Sequence, residues 1–230
     1  MSPGWEEKDI AMPWQAQTLA LSAGALAAGL ALAWGEYRGP RALIYAAKPL
    51  ATLLILALAA LAPPAANPFL ARWIVAGLVF SLAGDVLLML PSDRFAAGLA
   101  SFLVAHLCYI AAFTSEAGMQ IEPLVLAPLL VAVWLVYRRL APGLGSLRIP
   151  VIVYIGVIVV MAWQALARCT VVPGAGPPLA AAGALLFATS DSALALARFQ
   201  GPFKGSHAVV YFAYFAAQWL IAVSLYAAPG

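Results

Sequence analysis

The sequence predicts an all-α integral membrane protein: a bundle of eight transmembrane helices forming one domain over residues 1–230. Three observations lead there. Of 230 residues, 65% are hydrophobic and only 9% charged, whereas a soluble domain carries about 25% charged residues. The mean hydropathy is +0.97, and the apolar residues gather into eight runs long enough to cross a hydrocarbon core about 30 Å thick. The connections between runs are short, which leaves no room for a soluble domain. Backbone N–H and C=O groups in lipid must be paired internally, and a helix does this within one segment.

The runs cover about 14–34, 41–62, 69–90, 95–115, 122–138, 150–168, 178–198 and 205–227. The first follows MSPGWEEKDIAMPW, where Glu6, Glu7 and Asp9 outnumber Lys8. A cleavable signal peptide has a basic start and a shorter apolar core, so the first helix is expected to be retained. The second carries Lys48, and the third carries one acid, Asp85, in FSLAGDVLLMLP. The fourth bears an aromatic stripe with His106. Runs one, five and six read as generic spans, and Pro128 in the fifth stands out as a mid-helix interruption. The seventh repeats the lone acid as Asp191 in FATSDSALALAR, and the eighth begins with His207 and a Tyr-rich stripe.

A formal charge of +3 is too small to point to nucleic acid. Its distribution is more informative. Arg38, Arg41, Arg94, Arg138, Arg139, Arg148, Arg198 and Lys204 fall on one side of the predicted bundle, and Lys8, Arg72 and Arg168 on the other. Positive residues stay cytoplasmic, so both termini are expected outside the cytoplasm. The alanine-rich composition fits a bacterial inner membrane. Cys108 and Cys169 lie in or at the end of predicted helices and read as packing residues.

Helices three and seven share a face. Gly77, Ser81, Gly84, Asp85 and Leu88 are matched by Gly183, Phe187, Ser190, Asp191 and Leu194 at a constant displacement of 106 residues. Such spacing lines up one helical face, and its small residues permit close helix approach. Each acid should therefore face protein. A four-plus-four internal repeat would explain the displacement. Because helices three and seven then run in the same direction, both acids sit at similar depth, roughly 7–11 Å from the helix ends at 1.5 Å per residue.

Lys48 on helix two, His207, Tyr211, Tyr214 and Gln218 on helix eight, and His106 and Tyr109 on helix four can converge on the same region. Each also has a structural reading. A single Asp could pair with Lys48, Lys48 could snorkel to the headgroups, and a histidine on an aromatic stripe is often packed in the core. Two intramembrane acids at one depth are harder to dismiss, because each makes insertion more costly. Asp93 and Arg94, beside Pro91, read as a solvated turn. Hydrolytic zinc usually takes three protein ligands; with two histidines and no H-x-x-x-H pair, no metal or other cofactor is called for. A G-x-S-x-G elbow, a phosphate-binding glycine loop and a C-x-x-C pair are all absent from the sequence.

YAAKPLATLLI, FSLAGDVLLMLP leading into FAAGLASFLVAHLCYIAAF, FATSDSALALARF and YFAYFAAQWLI occur in that order. Together they resemble the YhhN family of membrane proteins, whose animal members include lysoplasmalogenases. The resemblance implies hydrolysis of the vinyl ether of a lysoplasmenyl-ethanolamine or -choline, releasing a fatty aldehyde and the glycerophospho-headgroup. Its substrate would be a lysophospholipid taken from the surrounding membrane lipids.

The residues suit that chemistry. A vinyl ether needs a proton on the carbon distal to oxygen, then water at the carbon bearing oxygen. Glycosidases divide comparable oxocarbenium chemistry between a protonated carboxyl and a carboxylate. Burial and a neighbouring carboxylate both favour the neutral form of one acid of a pair. Asp85 and Asp191 are the expected pair. Lys48 would keep one of them ionised or hold the lipid phosphate, and His106, Tyr109, His207, Tyr211, Tyr214 and Gln218 would support or bind substrate. The alternative is a transporter or lipid flippase, for which paired intramembrane acids are equally expected.

Overall fold

The computed structural model describes residues 12–63 and 67–227; the acidic stretch Glu6–Asp9, and with it the reading of a retained, uncleaved start, lies outside them. Among the described residues there are no strands, and eight helices are long and apolar enough to cross a membrane. They are α1 (Met12–Arg38), α2 (Arg41–Ala60), α3 (Pro68–Met89), α4 (Phe95–Phe113), α5 (Pro123–Leu140), α6 (Arg148–Arg168), α7 (Gly176–Gln200) and α8 (Ser206–Val223).

Local chemistry sets several of these boundaries. Asn67 caps α3, its Oδ1 accepting from the backbone N–H groups of Phe69 (2.9 Å) and Leu70 (3.4 Å). Pro68 follows at the first helical position, where its missing N–H leaves no bond unmade. Helix α7 ends at Gly201, whose φ of 95° lies in a region open to glycine and costly for other residues. The sequence reading singled out Pro128 as the interruption, but Pro49 is also inside a helix, α2. Its ring supplies no N–H to the carbonyl one turn earlier, a local loosening next to Lys48. Helix α7 also outruns its expected end, so Asp85 and Asp191 stand roughly 6 and 14 Å from their helix ends at 1.5 Å per residue.

Four glycines set the helix spacing. A Cβ added to Gly77 would lie 2.4 Å from the Tyr109 ring, and one on Gly84 would lie 2.6 Å from the Phe102 ring. On α4, Gly98 would meet Leu88 at 2.6 Å. These contacts form the α3–α4 seam. On the α7–α8 seam, Gly183 would place a Cβ 2.8 Å from the Ala217 carbonyl oxygen. Close approach of this kind brings dispersion contacts that lipid cannot better. It also turns the acid-bearing faces of α3 and α7 inward: Gly77, Ser81, Gly84 and Asp85 are buried, as are Gly183, Phe187 and Ser190.

Aromatic rings fill the centre. Phe187 contacts the rings of Phe102, His106, Tyr109 and Tyr214. Helix α5 is different: it packs on α6 and α7, and only Leu140 along it is buried.

Candidate functional site

Polar groups on α2, α3 and α8 meet at Asp85, which is 1% exposed. Its Oδ2 accepts from the Thr52 hydroxyl at 2.6 Å and the Tyr214 hydroxyl at 2.7 Å. Lys48 Nζ lies 3.2 Å from Oδ1. A buried carboxylate needs this kind of compensation, because desolvation of an unpaired charge costs several kcal/mol or more. Lys48 is itself buried, so its stem does not carry the ammonium out to the headgroups.

Asp191 has a different setting. Its Oδ2 accepts a hydrogen bond from the Tyr154 hydroxyl of α6. His106 Nε2 of α4 approaches the same oxygen at 3.7 Å, beyond hydrogen-bond range. The imidazole is wholly buried, edge-on to the Tyr154 and Phe187 rings. Asp191 keeps 11% side-chain exposure. Each acid is thus approached by a residue from the helix before it and by one from the last helix of the other half of the chain. Tyr154 also stands 106 residues after Lys48, the displacement that relates the two acids.

Asp85 and Asp191 line one cavity of 690 Å³, together with Lys48, Ser190, Tyr211 and Tyr214. Its outer part is bordered by Glu36, Arg41, Asp93, Arg94, Arg198 and His207. Nothing in the sequence reading placed Glu36 here. Tyr211 donates to its Oε1 at 2.8 Å, and His207 Nδ1 lies 3.5 Å from its Oε2. The Tyr211 ring in turn sits 5.7 Å from Lys48 Nζ, so a continuous set of side chains connects the cavity rim to Asp85. His207 is 59% exposed and belongs to the rim.

The nine sequence-predicted site residues therefore divide. Lys48, Asp85, Asp191, His207, Tyr211 and Tyr214 line the cavity, whereas His106, Tyr109 and Gln218 are fully buried behind it. Tyr109 donates to Gln218 Oε1 at 2.6 Å, a pair that supports the cavity floor. Their helical stripes predicted inward orientation correctly but carried no information on how far in. Three groups were missed as site residues: Glu36, which lines the cavity, and Thr52 and Tyr154, which donate to the two acids from behind it. Thr52 stands four residues, one helical turn, after Lys48 on α2, a spacing that puts it on the same face and could have found it. Tyr154 was lost in a run read as generic, though it is the one hydroxyl in IPVIVYIGVIVV. Glu36 looked like the end of a span.

Asp93, read as part of a solvated turn, joins the rim to α7. Arg198 donates to it at 2.6 Å and lies over the Phe95 ring at 4.9 Å. The Arg198 hydrogen bond and then the Phe95 backbone N–H hold the Asp93 carboxyl below the ordinary aspartate range. Among the described residues no three His, Cys, Asp or Glu side chains cluster closely enough to hold a metal.

Comparison with known proteins places this architecture. The chain is 33% identical over 197 residues to "Uncharacterized membrane protein YhhN" of Escherichia coli O157:H7, covering 83% of this chain and 91% of that protein. It is 40% identical over 157 residues to "Lysoplasmalogenase TMEM86A" of Bos taurus, covering 66% of this chain and 64% of the relative. "Lysoplasmalogenase" of Mycobacterium tuberculosis is 33% identical over 182 residues, 75% of this chain and 67% of that protein. No solved structure matches. Residues 43–225 match the YhhN family, a stretch that contains both acids, Lys48 and Tyr154; the chain belongs to the YhhN family of membrane proteins.

Proposed function

We propose that this protein hydrolyses the vinyl ether of a lysoplasmalogen, with Asp85 and Asp191 dividing the acid–base work. The observation that carries the reading is the unequal setting of two carboxyls on one cavity. Asp85 receives two hydroxyl donors and an ammonium, the environment of an ionised carboxylate. Asp191 receives one hydroxyl and retains exposure to the cavity, which leaves an oxygen free to carry and deliver a proton. Relatives named lysoplasmalogenase support the substrate class.

The steps balance without a nucleophile from the protein. Asp191 gives its proton to the vinyl carbon distal to oxygen, and the π electrons form that C–H bond. The resulting oxocarbenium ion is stabilised by the carboxylate of Asp85, an electrostatic role strengthened by the low dielectric. Water adds to the carbon bearing oxygen and returns a proton to Asp191. The hemiacetal then breaks its bond to the glycerol oxygen, which takes up the hydroxyl proton, leaving aldehyde and glycerophospho-headgroup. A cavity that runs from a charged rim to the two acids suits a lysolipid, whose vinyl ether lies just below its headgroup.

Purified protein incubated with lysoplasmenyl-ethanolamine in deuterated water tests this. The expected product is aldehyde bearing deuterium on the carbon next to the carbonyl, above the exchange of a preformed aldehyde control. No aldehyde above an empty-membrane control removes the substrate assignment. Movement of intact labelled lysolipid between leaflets would instead support the flippase reading.

A further inference from the structure

A second, apolar pocket of 50 Å³ lies beneath α5 and shares Phe102, Leu194 and Asp191 with the polar cavity. Val133 and Val136 of α5 and Ile155 of α6 form part of its wall. Asp191 is thus on the boundary between a chamber lined with charges and one lined with hydrocarbon, while Asp85 faces only the former. A vinyl ether has the same polarity along its length: glycerol oxygen on one side, hydrocarbon chain on the other.

We propose that the apolar pocket beneath α5 seats the alkenyl tail, so that the tail-side carbon of the vinyl ether meets Asp191. This rests on the vinyl-ether reading for its substrate but on the junction of the two cavities for its geometry. The pocket is too small for a whole chain, so the tail continues out of the protein. The path would run between α4 and α5, whose Leu99, Val133 and Val136 all line the pocket, α5 being packed mainly on α6 and α7. The tail leaves one hydrocarbon surrounding for another, so its register is set by packing in the pocket, while the polar headgroup, which an apolar pocket would leave unpaired, stays at the rim. The proton donor is then the acid nearer the tail, the assignment reached separately from the hydrogen bonds at Asp85.

The first test requires no turnover. A non-hydrolysable alkyl-ether lysolipid carrying a diazirine near the start of its chain is photolysed with the full-length protein in detergent. Label is expected on α5 and α7 peptides, around Val133–Val136 and Asp191–Phe199. Label confined to α1 and α8, which border another apolar cavity of 460 Å³, overturns the proposal. A second test compares kcat/KM for long-chain and short-chain vinyl-ether lysolipids. Val136→Trp should lower the long-to-short ratio at least ten-fold, whereas Leu130→Trp, on an exposed position of α5, leaves the ratio unaltered. An unchanged ratio in Val136→Trp counts against the tail seat. If the wild type releases no aldehyde yet the label falls on α5 and α7, the hydrolase reading fails and the tail subsite stands.

Discussion

Asp85 and Asp191 have the same side chain, stand at matching sequence positions and face one cavity, yet they are not chemically equivalent. Three donors converge on the first and one on the second. Asp85→Asn and Asp191→Asn should each lower aldehyde release at least about 10²-fold, within the range of general acid–base contributions; full activity in either variant would exclude the two-acid mechanism. Both variants should still extract and elute as folded protein. Tyr154→Phe removes the hydroxyl that orients Asp191 while keeping the ring against His106. We expect kcat to fall about ten-fold with KM little changed, and the pH–rate profile to shift, a readout that a packing defect alone would not move. Asp85, Asp191 and Lys48 were legible from sequence because charge inside an apolar run is costly and needs a reason. Tyr154 was not, since a tyrosine in such a run is equally at home against lipid.

The seams that hold these residues in place are built at the scale of helices. Gly77 and Gly84 on α3, and Gly183 on α7, occupy positions where a Cβ would enter a neighbouring ring or backbone. Gly183→Ala meets the α8 backbone, which cannot rotate aside, and should destabilise by about 1–3 kcal/mol, the usual cost of overpacking. Gly156→Ala is the control: nothing lies within 4 Å of its added Cβ, and alanine is the better helix former. Thermal unfolding in detergent should rank Gly156→Ala at or above wild type and Gly183→Ala clearly below. The inward face of α3 could be read from its small residues. The loose docking of α5 could not, because an apolar helix looks alike whether its neighbours are helices or lipid tails.

For the molecule as a whole, the arginine-rich loops and the rim of the polar cavity lie at the same end of the bundle. The positive-inside rule predicts that this end is cytoplasmic, which would put the α6–α7 connection with Cys169 outside. The native cysteines allow a direct test, because Cys169 is exposed and Cys108 buried. A membrane-impermeant maleimide should label Cys169 in intact cells; labelling only after permeabilisation would invert the topology. Desolvation pushes the Cys169 thiol above its ordinary value, against the opposing effect of Arg168. The thiolate is the reactive form, so labelling should accelerate as pH rises through and beyond the usual thiol range.

Composition and run length by themselves determined a membrane-embedded bundle of eight helices, since insertion depends on summed hydropathy along each segment. The two acids and their shared face were also set by sequence, because helical periodicity assigns a side without needing neighbours. Only the tertiary structure decided which side chains reach the cavity and which stop behind it, and how unequally the two carboxyls are compensated. Those outcomes depend on helix spacing and rotation, to which residues far apart in the chain contribute jointly: Lys48, Thr52 and Tyr214 around one acid, Tyr154 and His106 around the other.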